Sequence, residues 1–125
     1  MDTKQVGEKL VALCKEGKNL EAVATLYDKD IVSVEPQGSP EMPAETRGVD
    51  AIRAKNEWWI ANHEVHSGTA DGPYPHGDRF AVIYDYDVTL KTGPQAGHRF
   101  QMKEVALYTV ANGKIVREEF HYSMG

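Results

Sequence analysis

The stretch RFAVIYDYDVTL, residues 79–90, changes character at every step. Phe80, Val82, Tyr84, Tyr86, Val88 and Leu90 share one parity, and Arg79, Ala81, Ile83, Asp85, Asp87 and Thr89 share the other. Successive side chains of a β-strand point to opposite faces. The pattern therefore predicts a strand with one apolar, aromatic face and one face that carries the charges. HRFQMKEVALYTV, residues 98–110, repeats it after the turn-forming TGPQAG at 92–97. Asn112-Gly113-Lys114 marks a tight hairpin, because Asn-Gly accepts the positive φ that such turns require, and IVREEFHYS at 115–123 reads as the returning strand. Residues 65–75 are expected to form a further strand, followed by a turn at His76-Gly77-Asp78.

Upstream the period becomes helical. In residues 3–16, Val6, Leu10, Leu13 and Cys14 fall on one stripe, and Gly17 suits a C-terminal cap. Leu20, Val23, Ala24 and Tyr27 form a second stripe over 19–27. Asp50 is expected to cap a third helix over about 51–63, with Ile52, Asn56, Trp59 and His63 inward. Between the second and third helices, VSVEPQG at 32–38 ends a strand that runs into PQGSPEMPAETRG, residues 36–48, a loop long enough to form the rim or lid of a site. Helix, helix, strand, helix and four strands make an α+β fold: three helices in the N-terminal half packed on a curved antiparallel sheet.

The 125 residues fit a single domain over 1–125. One cysteine, Cys14, excludes an internal disulfide and a cysteine-based zinc site, and it is read as inert core. The polar start MDTKQVGEKL lacks the apolar segment of a signal peptide, and no run approaches the length of a membrane span. The expectation is a soluble, cytoplasmic protein. Fourteen Lys and Arg against nineteen Asp and Glu give a net charge of −5, which argues against a nucleic-acid partner.

Each inward face carries one acid. On 98–110 the face is His98, Phe100, Met102, Glu104, Ala106, Tyr108 and Val110; on the last strand it is Val116, Glu118, Phe120 and Tyr122. The first strand sets Ile31, Ser33 and Glu35 on one side. Glu35 is either a solvated strand end or a group delivered into a cavity. If these faces line one hollow with Tyr84, Tyr86 and Trp59, three carboxylates meet in an aromatic pocket. Burial there would raise a carboxyl pKa toward neutrality, where proton transfer works best. Arg99, Lys103 and Arg117 take the opposite parity, where Asp85, Asp87 and Glu119 are cross-strand partners.

LYDKDIVSVEPQGS with RGVDAI, then GDRFAVIYDYDVT and MKEVALYTVANGKIVREEFHY, resemble the SnoaL-like branch of the NTF2-like superfamily. That superfamily includes ketosteroid isomerases, polyketide cyclases, scytalone dehydratase and limonene-epoxide hydrolase. The resemblance covers nearly the whole chain and implies a cone whose bent sheet wraps a pocket. It implies a cofactor-independent acid/base enzyme, an isomerase, cyclase or dehydratase, acting on a small hydrophobic carbonyl-bearing molecule; a non-catalytic binding or dimerisation module is the alternative. The isomerases place an acid followed by proline at the end of the first strand, and Glu35-Pro36 stands there. The places of their oxyanion-hole tyrosine and aspartate hold Leu10 and Ala106. Loss of such donors typically costs about 10²–10³-fold each. The inward faces hold no arginine, which sets limonene-epoxide chemistry aside.

The candidate catalytic residues are thus Glu35, Glu118, Glu104 and His63, with His63 at the pocket mouth. Asn56, Trp59, Val82, Tyr84, Tyr86, Met102, Tyr108, Phe120 and Tyr122 are the candidate binding wall, with Trp58 the alternative tryptophan and one of the two indoles buried under the sheet. Neither a cofactor nor a metal is expected: in NHEVH, residues 62–66, His63 and His66 are three apart rather than the four of the zincin motif. The resemblance also implies a homodimer through the outer sheet face, where Val105, Leu107 and Thr109 lie among charges.

Overall fold

A computed structural model describes residues 1–38 and 43–122. Three helices, α1 (Thr3–Lys15), α2 (Asn19–Leu26) and α3 (Val49–Asn62), accompany six strands: β1 (Tyr27–Val34), β2 (Glu45–Arg47), β3 (His63–His76), β4 (Arg79–Leu90), β5 (Arg99–Ala111) and β6 (Lys114–His121). The strands form one sheet in the order β2-β1-β6-β5-β4-β3. The expected antiparallel sheet is mixed, because β1 lies parallel to β6. Parallel neighbours require a long crossover, and here α3 and four strands intervene, so no local pattern in the sequence could report the pairing.

Local chemistry fixes the helix ends. Asp2 and Gln5 form a reciprocal capping box at the start of α1 (2.8 and 3.0 Å). Gly17, at φ +72°, ends that helix, with Lys18 N–H bonded to Leu13 O and Gly17 N–H to Cys14 O. The cap of α3 is Gly48 at φ +90° rather than Asp50, which lies in the first turn, where its charge suits the helix N-terminus. The expected stripe of α2 is also corrected. Ala22, Val23 and Leu26 are buried, whereas Leu20 and Ala24 are exposed. Tyr27 leaves the helix in extended backbone and begins β1.

The helices cover the inward face of the sheet. Val6, Leu10, Leu26, Ile31, Ile52, Phe80, Val82 and Ile115 pack into one core. Gly7 lets α1 come very close to β3, since a Cβ there would stand 2.7 Å from Pro73 Cβ. The parities of β4 and β5 match the alternation of the sequence. On β6 the parity breaks at its start. An irregularity between Thr109 and Val110 sets Ile115, not Val116, opposite Val110, so Ile115 is fully buried and Val116 only partly. Asn112 and Gly113 take φ +52° and +76° in the expected hairpin turn. Within the 36–48 loop the short β2 pairs with β1; residues 39–42 of the expected lid lie outside the described residues.

Gly68 on β3 faces Tyr86 on β4 and shapes the aromatic wall. A Cβ at Gly68 would come within 2.6 Å of the Tyr86 ring, so the absence of a side chain there is what lets the phenol lie against β3. Gly68→Ala is expected to cost about 1–3 kcal/mol by overpacking and to displace Tyr86. Urea denaturation and near-UV circular dichroism measure both, with Ser67→Ala on the opposite parity as a nearly neutral control.

Candidate active site

The inward carboxylates, Glu104 of β5, Glu118 of β6 and Glu35 just past the end of β1, border a single cavity of about 800 Å³. Glu118 is the deepest at 3% exposure. It stands opposite Tyr108 of β5 and Ser33 of β1. Tyr27 donates its phenolic proton to Glu118 Oε2, and the Ser33 hydroxyl supports the same carboxyl group. Burial pushes the Glu118 pKa upward, and the two hydrogen bonds only partly offset it.

Glu35 follows the last residue of β1 and is held from two sides. Lys55 of α3 places Nζ 2.8 Å from Glu35 Oε1, and Tyr122 donates to Oε2 at 2.8 Å. Lys55 also donates to Ser33 Oγ at 3.2 Å. A continuous polar chain therefore runs Tyr27–Glu118–Ser33–Lys55–Glu35–Tyr122.

Glu104 sits opposite Tyr84 on β4 and differs from both. Among the described residues no side chain donates a hydrogen bond to it. Its pKa is raised to about 7, first by burial and then by the charges of Glu35 and Glu118, against the pull of Lys55. At neutral pH it exchanges a proton freely, as an acid/base group must.

Aromatic rings build the wall. Tyr84 and Tyr86 stack at 5.9 Å, Trp59 leans on Tyr86 at 6.0 Å, and His63 stacks on Trp59 at 4.3 Å. The Tyr84 and Tyr108 hydroxyls share a 2.7 Å hydrogen bond, and Cys14 Sγ lies 3.8 Å from Tyr84 Oη. Burial raises the phenol pKa of Tyr27, Tyr84 and Tyr108 well above the ordinary range, so these groups stay protonated.

Of the sequence-derived candidates, Glu35, Glu104, Glu118, Asn56, Trp59, Tyr84, Tyr86, Met102, Tyr108, Phe120 and Tyr122 all border the cavity. Two do not. Val82 is fully buried in the solid core. His63 turns Nδ1 to Trp59 O at 2.9 Å and lies behind the indole rather than at the mouth. His66 instead bonds Thr89 Oγ1 at 2.7 Å, so the two histidines of NHEVH serve different neighbours. Neither tryptophan is buried under the sheet: Trp58 is 50% exposed, and both rings border the cavity. Cys14 is not sealed core but part of the cavity lining. Leu10 and Ala106 are buried and apolar, Leu10 at the cavity wall and Ala106 sealed in the core.

Sequence reasoning missed Lys55 and Tyr27. Lys55 flanks the expected inward stripe of α3, four residues before Trp59, and that spacing was the available signal. Tyr27 was hidden by its assignment to α2.

A helix-backed sheet enclosing an acidic, aromatic cavity defines a protein of the NTF2-like, cystatin-like fold class. The chain belongs to the SnoaL-like domain family, which matches residues 1–122. It is 42% identical to a candidate SnoaL-like polyketide cyclase from Mesorhizobium loti, with a TM-score of 0.90 over 98% of this chain and 100% of that one. A candidate isomerase from Bacillus subtilis shares the fold at 18% identity and a TM-score of 0.76, covering 98% of this chain and 90% of that one. A Catenulispora acidiphila protein of ketosteroid isomerase-like fold, in complex with trimethylamine, does so at 23% identity and a TM-score of 0.71, covering 98% and 88%. No curated protein matches the chain.

The raised pKa of Glu104 has a consequence for stability. A carboxyl group that holds its proton more tightly when folded stabilises the protein at low pH, and that contribution is lost as pH rises from about 4.5 to about 7. Glu35, Glu118, Lys55 and Tyr86 surround it and set the size of the effect. Glu104→Gln should match the wild type near pH 5 and exceed it by about 2–3 kcal/mol at pH 8, as measured by urea denaturation at both values.

Proposed function

We propose that the cavity performs cofactor-independent proton transfer on a small hydrophobic carbonyl-bearing molecule, in an isomerisation, an aldol-type cyclisation or a dehydration. Glu35 takes the proton, and Glu104 or Glu118 in its neutral form donates to the developing product. Trp59, Tyr84 and Tyr86 hold the apolar body of the substrate. One observation supports this most: three carboxylates in differing environments border one aromatic cavity, and that of Glu104 titrates near neutrality. Pairs of acids whose surroundings separate their pKa values are the usual division of labour in such catalysis.

A thermal-shift screen over aromatic ketones, steroids and polyketide-like lactones identifies ligands, since one at 100 times its Kd stabilises by about 2.7 kcal/mol. With a turned-over hit, Glu35→Gln should lower kcat by about 10²–10⁴-fold while leaving the melting curve cooperative. If Glu104 is the acid, kcat/KM falls as pH rises through about 7. Equal turnover by Glu35→Gln and wild type removes Glu35 from the mechanism.

One feature favours the second reading, a binding module without chemistry. Both Glu35 oxygens are already engaged, by Lys55 and Tyr122, so a substrate proton would have to compete with these partners for a carboxylate oxygen. The Catenulispora protein of this fold is in complex with trimethylamine. Hits in the thermal screen that are never turned over would support that account.

A homodimer through the outer sheet face belongs to the same proposal. That face carries the Arg99–Asp87 and Arg117–Glu119 pairs around Val105, which is 40% exposed. Sedimentation velocity at micromolar concentration should show a dimer, and Val105→Glu should shift it to monomer.

A further inference from the structure

We propose that Lys55 is the group that stabilises negative charge on the substrate oxygen. This inference rests on the proton-transfer reading of the same cavity.

Lys55 is the only cation among the described residues that is both largely enclosed and part of the cavity wall. Its side chain is 18% exposed, whereas Lys15, which also borders the cavity, is exposed at the end of α1. An ammonium carries three N–H donors. One points to Glu35 Oε1 and one to Ser33 Oγ. The third has no acceptor among the described residues, and Nζ lies 5.4 Å from the centre of the Phe120 ring, itself part of the cavity wall.

Most of the cavity phenols are committed elsewhere. Tyr27 donates to Glu118 and Tyr122 to Glu35. Tyr84 and Tyr108 share a hydrogen bond, with Cys14 Sγ against the Tyr84 hydroxyl, and Tyr86 accepts from Asn19, which leaves its own proton as a neutral donor only. Leu10 and Ala106 have nothing to donate. A substrate oxygen that gains negative charge therefore meets one free charged donor, and in an enclosed site such a charge acts more strongly than it would in water.

The ion pair makes the donor responsive to the reaction. When Glu35 accepts the proton next to the carbonyl, the C–H bond breaks and its electron pair forms the enolate C=C bond. The carbonyl π pair moves to oxygen. Glu35 becomes neutral as the oxygen becomes negative, so Lys55 loses its ionic partner when a new one forms. The net charge of the filled cavity stays constant. Return of the proton from a carboxyl group to carbon regenerates the starting pair.

Para-nitrophenol provides the test, because its phenolate resembles an enolate in charge and shape and its ionisation is visible by absorbance. Titrated in the presence of each protein, the bound phenol should ionise more readily in the wild type than in Lys55→Met, with a phenolate preference larger by at least about tenfold. Lys55→Arg should retain part of that preference. Glu35→Gln frees the ammonium from its partner and should increase it. Glu35→Gln/Lys55→Met, a neutral pair that avoids a lone buried charge, should abolish it and serves if Lys55→Met alone fails to fold. Equal phenolate preference with and without Lys55 overturns this role and leaves the proton-transfer reading standing. Failure of the phenol to bind the wild-type cavity in either form would count against both.

Discussion

A carboxyl group in the seam between two parallel strands is costly to bury unless its oxygens are bonded, and Glu118 of β6 is buried in such a seam. Its donors, Tyr27 and Ser33, both lie on β1. The pairing of β1 with β6 is therefore fixed by a polar requirement as well as by the backbone ladder. A slip of one residue would turn Ser33 outward and leave Glu118 without that support. From Ser33 the same chain of bonds passes to Lys55 and on to Glu35 and Tyr122. That chain fastens α3 to the sheet, and it also holds two of the three cavity acids. The interactions that set the strand order and those that set the chemistry are one network.

The three acids show how far environment separates identical side chains. Glu118 has a phenol and a hydroxyl as partners, and Glu35 has an ammonium and a phenol. Glu104 has none among the described residues. Each half-supported carboxylate would be a liability in a solid core. In a cavity, an unsupported one is a group left for a ligand. The asymmetry follows from topology: β1 and β6 are neighbours and share donors, while Glu104 on β5 faces Tyr84, whose hydroxyl is already bonded to Tyr108.

Strand parity was legible in the sequence because a period of two is local. Glu104, Tyr108, Glu118, Tyr84 and Glu35 all reach the interior through it. Parity does not tell core from wall, however. Along β4, Phe80 and Val82 are sealed while Tyr84 and Tyr86 border the cavity, and Ala106 opposite Val82 is sealed as well. Val82 was misplaced for that reason. The parallel pairing of β1 with β6 and the three-residue β2 depend on partners distant in sequence, and the irregularity beside Ile115 breaks the period of two on which the reading rests. Lys55 was overlooked because a lysine beside an apolar stripe ordinarily carries its charge to water. Here it meets Glu35, an acid twenty residues earlier on another element.

That last pairing bears on how one fold supports several reactions. The places that the resemblance assigns to the isomerase tyrosine and aspartate hold Leu10 and Ala106 here; Ala106 is sealed in the core, and Leu10 is buried but shows an apolar side chain to the cavity. A polar donor at Ala106 would put an unsatisfied group into the core. A polar group is tolerated only where a bonding partner or solvent can reach it, and α3 and the end of β1 meet that condition for a charged pair. The apolar half of the cone thus limits which wall can carry a charged donor. Lys55 lies on the wall that the core leaves free, beside the acid whose charge it balances.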